Sequence, residues 1–197
     1  NSQRFMPTYI IIALNMIVYV YTSVIGGNFI VTNEYFIWMY GQVNLFVMHG
    51  WYWQLFTAMF IHMNIIHLLG NMFFLLIFGL RAEEIFSIEE YLLIYFLSGL
   101  AGNLFTLLLG PDMISAGASG AIFGMFGACI IYIRHALGQS IITALTYAFF
   151  LFMINIGPGV NVLAHLGGLV VGLLLGYVLA TKRKLRAPYT FSYKYSV

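Results

Sequence analysis

Six stretches of this chain are long and apolar enough to cross a bilayer, and the breaks between them are short. The stretches run over 6–26, 55–80, 91–110, 115–134, 140–157 and 162–181. A helix rising about 1.5 Å per residue needs roughly 20 residues to cross a hydrocarbon core of about 30 Å. Backbone in lipid must satisfy its own hydrogen bonds, so each stretch is expected to be a helix. The breaks carry charge or helix breakers: 81–90, Gly110-Pro111-Asp112, 134–139 and Gly157-Pro158-Gly159. Composition agrees, with 62% hydrophobic and only 7% charged residues, against about 25% charged in a soluble domain. An ordinary soluble domain is excluded, and so is a disordered or nucleic-acid-binding chain, which needs charge. A net charge of +2 is too small to hold a polyanion. Cys129, the single cysteine, excludes an internal disulfide and a multi-cysteine metal site.

The first stretch reads as a span rather than a signal peptide, because its core is too long and no A-x-A-like site follows. A start at Asn1 leaves room for an upstream piece. Residues 27–54 mix polar and aromatic side chains and hold all three tryptophans, Trp38, Trp51 and Trp53. Such rings favour the headgroup level, so this segment is expected to be a large loop lying in one interface.

Charge then tests the count. With the N-terminus in the cytoplasm and six spans, the inner segments are 1–5, 81–90, 134–139 and 182–197. All eight basic residues fall there: Arg4, Arg81, Arg134, Lys182, Arg183, Lys184, Arg186 and Lys194. The outer loops hold Glu34 and Asp112 and no basic residue. This is the positive-inside pattern, and five or seven spans break it. The expected architecture is an all-α, polytopic six-helix bundle forming one membrane domain over 1–197. Both ends lie inside, with a basic inner tail over 182–197. Glu83, Glu84, Glu89 and Glu90 are expected in a solvated inner loop.

Ionisable and strongly polar groups inside spans are functional candidates. Span two carries His62, His67 and Asn71, span six carries His165, and Ser119 lies a few residues into span four. His67 and Asn71, four apart, share a helix face. His62 and His67, five apart, diverge by about 140° on a continuous helix. Gly120, Gly124 and Ala128 form a small stripe on span four, and Gly168, Gly172 and Gly176 form one on span six. Small-xxx-small stripes let membrane helices approach closely. If the two stripes pack together, Ser119 and His165 meet in the outer part of the membrane. His67 lies deeper unless its helix starts late.

That meeting has a chemistry. A serine hydroxyl becomes a nucleophile when a base takes its proton during attack, and neutral His165 is such a base. Free N–H groups at the Ser119 helix start, with His67 and Asn71, can hold an oxyanion. No Asp is placed to orient His165, so the pair is a dyad, with Phe123 able to stack on the imidazole. Plainer readings stand beside this one. A glycine-flanked serine is often a packing residue, and a buried histidine is often structural. Three histidines invite a metal, but HExxH is absent and the His62/His67 spacing does not suit one helix face, so no metal and no cofactor is expected. A channel with a histidine relay would place polar residues along a full pore, whereas here they stay in the outer half.

His62, His67 and Asn71, then Gly117-Ala118-Ser119-Gly120, then Ala164-His165 with Gly168 and Gly172 stand in this order along the chain. In that order they resemble the H-x4-H-x3-N, GxSG and AH-xx-G-xxx-G elements of the rhomboid family of intramembrane serine proteases. Gly79 and Glu83 resemble its GxxxE. The likeness covers nearly the whole prokaryotic-type six-span core. It implies a serine endopeptidase that cleaves membrane proteins in or beside their transmembrane helices, through an acyl-enzyme at Ser119 with His165 as base. It implies oxyanion-side roles for His67 and Asn71 and a structural role for His62. The substrate is implied to enter between spans two and five, where Phe73, Phe74, Phe149, Phe150 and Phe152 lie. Partners are then transmembrane substrates and the lipid bilayer, with no nucleic acid. A prokaryotic plasma membrane is the implied location, with the site open to the outer side. The alternative is a silent relative that binds or escorts membrane proteins. The sequence departs from the family where Trp53-Gln54 stands for the frequent Trp-Arg, and where Phe123 stands for a frequent tyrosine.

Overall fold

A computed structural model describes residues 6–154 and 159–183. Arg4, Gly157-Pro158 and the tail from Lys184 onward, with Arg186 and Lys194, lie outside the described residues, as does the side chain of Phe152. The fold is a bundle of apolar helices. α1 spans Pro7–Gly26, its proline at the first turn where a missing N–H costs nothing. The next 27 residues hold only short elements: α2 (Glu34–Tyr40), β1 (Gln42–Val43) and α3 (Asn44–Met48). The longest of these has 7 residues, so the segment read as an interfacial loop contains no spanning helix.

α4 (Gln54–Thr57) and a 3-10 turn over Ala58–Phe60 come next, then α5 (Ile65–Ile85). The expected second span therefore starts ten residues late. Asn64 is extended and its side chain accepts from His67 N at 2.8 Å, which caps the helix there. Residues 30–32 hold the preceding stretch extended: Thr32 N donates to Met63 O at 2.9 Å, and Ile65 N donates to Ile30 O at 3.0 Å. α6 (Ile88–Thr106) begins in a Ser87/Glu90 capping box. Then follow β2 (Ile114–Ser115), α7 (Ser119–Ala136), α8 (Ile141–Ile154) and α9 (Val162–Lys182). β1 and β2 pair antiparallel, Gln42 with Ser115 and Val43 with Ile114. This two-stranded ribbon is an addition to the all-α expectation.

Among the described residues, five helices are long and apolar enough to cross a membrane: α1, α5, α6, α7 and α9. α8 has 14 residues, about 21 Å at the helical rise, which is short of the hydrocarbon core. The protein is thus a polytopic helical membrane bundle, with α8 below spanning length in the described part.

α7 is the central helix: 61% of its most apolar window is buried, against 28–39% for the other four. The two small-residue stripes make its contact with α9. An added Cβ on Gly168 would sit 1.9 Å from Gly120 O, and one on Gly172 would sit 2.0 Å from Gly124 O. The same construction puts Gly176 2.5 Å from Ala128 O. Backbone lies against backbone along this seam, so only glycine fits. At α6, Gly102 lies equally close to Ala164 O, with 2.5 Å to its own missing Cβ.

The carboxylates between α5 and α6 need a correction. α5 runs through Arg81, Glu83 and Glu84, so no long loop exists. Glu83 accepts from Thr8 N at 2.8 Å and satisfies the first turn of α1. Glu90 bonds Arg183, whose guanidinium also donates to Ile85 O at 2.7 Å and Tyr132 Oη at 3.2 Å. These two carboxylates tie helix ends together, while Glu84 and Glu89 are exposed as expected.

Candidate active site

The starts of α5, α7 and α9 converge at one end of the bundle, around one cavity. Gly117 prepares the start of α7. Its φ is +125°, and an added Cβ would sit 2.8 Å from the His67 ring. Both facts require glycine. Ser119 is then the first residue of α7, and no side chain caps that helix. Its first N–H groups are left facing the space beside Ser119. His165 is the fourth residue of α9, 8% exposed, with Nε2 at 2.9 Å from Ser119 Oγ. Phe123, one turn into α7, stacks on the His165 ring with centroids 4.4 Å apart and planes 19° apart. For Nε2 to accept the serine proton, the imidazole proton must sit on Nδ1. Among the described residues no carboxylate bonds this histidine.

His67 is the third residue of α5, because Asn64 delays the helix. The expected depth gap between His67 and Ser119 is closed for that reason. Asn71 follows one turn on, its Nδ2 donating to His67 O at 2.8 Å and its Oδ1 without a partner among the described residues. His62 precedes the helix, so the divergence expected of a continuous helix does not apply. Its ring meets His67 edge-on, with centroids 5.2 Å apart. It is buried behind His67, and burial pushes its pKa down to about 3, which keeps the ring neutral.

A cavity of about 650 Å³ is lined by His67, Asn71, Gly117, Ser119, Phe123 and His165. Ile66, Gly70 and Phe74 on α5 and Leu151 on α8 form another part of its wall. Phe73, Phe149 and Phe150 are exposed on the same two helices. The cavity therefore reaches towards the α5–α8 side of the bundle. Glu83 lies outside it, and Gly168 and Gly172 act through the α7–α9 seam.

Several positioning groups escaped the sequence reading. Asn64 and Asn161 cap the helices that carry His67 and His165. An Asn directly before an apolar run is the signal that would have found both. Gln54, standing for the family's arginine, is fully buried; its Oε1 accepts from Val43 N at 2.9 Å and its Nε2 donates to Trp38 O at 2.7 Å. A neutral amide thus anchors the loop.

Comparison with known proteins follows the same outline. The rhomboid domain, as a family, matches residues 49–182. The chain is 40% identical over 133 residues to RHOMBOID-like protein 6, mitochondrial, of Arabidopsis thaliana, a match covering 64% of this chain and 43% of that protein. It is 33% identical over 131 residues to Rhomboid-like protease 3 of Toxoplasma gondii, covering 62% and 50%. The match to the rhomboid protein YdcA of Bacillus subtilis is 31% over 198 residues, covering 94% and 96%. The chain spans half or less of the first and second of these relatives and nearly all of the third. With two thirds of its length inside the family's domain and one relative matched end to end, this chain belongs to the rhomboid family.

Proposed function

We propose that the protein is an intramembrane serine endopeptidase that cuts membrane proteins in or beside their transmembrane helices. The 2.9 Å contact between Ser119 Oγ and His165 Nε2, made between membrane helices beside a cavity, carries this reading. Family membership and relatives that bear protease names support it.

The chemistry runs in two halves. Ser119 Oγ attacks the scissile carbonyl carbon while His165 Nε2 takes its proton. The oxyanion is held by the Ser119 N–H, by His67 and by the second N–H of Asn71, the first being engaged by His67 O. The intermediate collapses, the C–N bond breaks, and the leaving amine takes the proton from His165. An ester at Ser119 remains. Water attacks it with His165 again as base, releasing the acid product and restoring the serine. Phe123 keeps the imidazole plane fixed throughout. A helical peptide bond is shielded by its own hydrogen bonds, so a substrate must unwind locally to reach Ser119. The α5–α8 side is the route for its entrance.

In this reading α8 is the sixth crossing of the bundle. The basic end faces the cytoplasm of a prokaryotic cell, and Ser119 opens to the outer side. Arg81, Arg134, Lys182 and Arg183 lie at the bundle end opposite Ser119, which supports this orientation.

Cleavage of a transmembrane substrate in liposomes, wild type against Ser119→Ala, tests the proposal. Wild type is expected to cleave and Ser119→Ala to lose activity by at least about a thousandfold. Equal cleavage by both would reject Ser119 as nucleophile. Binding without cleavage by the wild type would favour the escort reading.

A further inference from the structure

Asn161 joins three elements at the Ser119 end of the bundle. Its Oδ1 accepts from Ala164 N at 3.0 Å and caps α9. Its Nδ2 donates to Thr106 Oγ1, the last residue of α6, at 2.7 Å, and to Ser115 Oγ in β2 at 2.8 Å. The Thr106 hydroxyl proton is directed to Gly102 O at 2.9 Å, which leaves its oxygen to accept. The Asn161 carbonyl accepts from His165 N at 3.2 Å.

One amide therefore holds both chain segments that carry the reacting pair. Ser115 stands four residues before Ser119, and Asn161 stands four before His165. The glycine seam below them sets how closely α7 and α9 approach. A seam of small residues offers few side-chain stops against sliding or rotation. The amide supplies the missing constraint by fixing the first turn of α9 to the strand that leads into Ser119. It does so without contacting either reacting atom.

We infer that Asn161 is a positioning residue for the Ser119–His165 pair, acting through its bonds to Thr106 and Ser115 rather than through its helix cap. The inference rests on the dyad reading above. A misplacement of about 1 Å between reacting groups costs on the order of a hundredfold in rate, so a single lost constraint here is visible in kcat.

Two substitutions separate the roles. Asn161→Ser keeps a capping oxygen but is too short to reach Thr106 and Ser115. Asn161→Ala removes both functions. For the full chain in liposomes, kcat and KM towards a transmembrane substrate are measured together with thermal unfolding and the rate of Ser119 phosphonylation by an alkyl fluorophosphonate. Both variants are expected to lose kcat by about tenfold to a hundredfold with KM little changed, and Asn161→Ser to unfold with the wild type. Thr106→Val is expected to reproduce part of the loss and Thr106→Ser to restore it. The double variant Asn161→Ser/Thr106→Val is expected to be no slower than Asn161→Ser alone, since Asn161→Ser already removes the bond to Thr106. Wild-type kcat in Asn161→Ser would overturn the inference, as would a kcat that follows the unfolding temperature across the series. Failure of the dyad reading looks different: the wild type itself would not be phosphonylated at Ser119. A labelled wild type with an equally labelled Asn161→Ser would overturn this inference alone.

Discussion

At the residue scale, the site depends on a glycine as much as on its reactive groups. Gly117 combines a left-handed φ with a 2.8 Å approach to His67, so Gly117→Ala strains the backbone and displaces the ring. Destabilisation of about 1–3 kcal/mol is expected from the backbone. His67→Ala is expected to lower kcat by about a hundredfold with a smaller change in KM, as for a lost oxyanion donor. If Gly117→Ala acts on catalysis through His67, adding it to His67→Ala costs little further kcat; steady-state kinetics on the two single variants and the double variant check this. Ser119, His165, His67, Asn71 and Phe123 were legible because polar or aromatic groups at helical spacing stand out in an apolar chain. Asn161, Asn64, Thr106 and Ser115 were not, because a single amide or hydroxyl near a loop looks like an ordinary loop residue until its partners, up to 55 positions away, are in place.

At the element scale, the α7–α9 seam was readable and the start of α5 was not. Stripes at spacing four announce close helix contact, and Gly120, Gly124, Gly168 and Gly172 supply it. Residues 55–61 are as apolar as a helix, so composition alone assigns them to the span. What ends that assignment is Asn64 and its pairing with Val31, a contact across 33 positions that periodicity does not encode. α8 shows the same limit, since apolarity without a settled length does not fix a crossing. The seam gives a graded expectation. Gly168→Ala and Gly176→Ala each force helix backbones apart, costing about 1–3 kcal/mol of stability as overpacking does. Gly168 lies three residues from His165 and Gly176 lies eleven away, so the first is expected to lose much more kcat. Thermal unfolding and kinetics of the two variants, measured side by side, check the gradient.

At the scale of the whole molecule, the distribution of charge carried most of the information. The basic residues described in the bundle gather at the end opposite Ser119, where Arg183 joins Glu90, Ile85 and Tyr132. With few charged residues in the chain, their placement is the basis of the proposed orientation. A membrane-impermeant maleimide applied to intact cells is expected to label Asp112→Cys and to spare Arg134→Cys; the reverse pattern would invert the orientation. The central claim is that Ser119 and His165 work as one nucleophilic unit inside the membrane. The most direct measurement is mass-spectrometric mapping of the adduct formed by an alkyl fluorophosphonate with the protein in liposomes. A single phosphonyl group on Ser119 is expected in the wild type, lost in Ser119→Ala and slowed by at least about a thousandfold in His165→Ala. Equal labelling of Ser119 in His165→Ala, or an adduct on another residue in the wild type, would contradict the account.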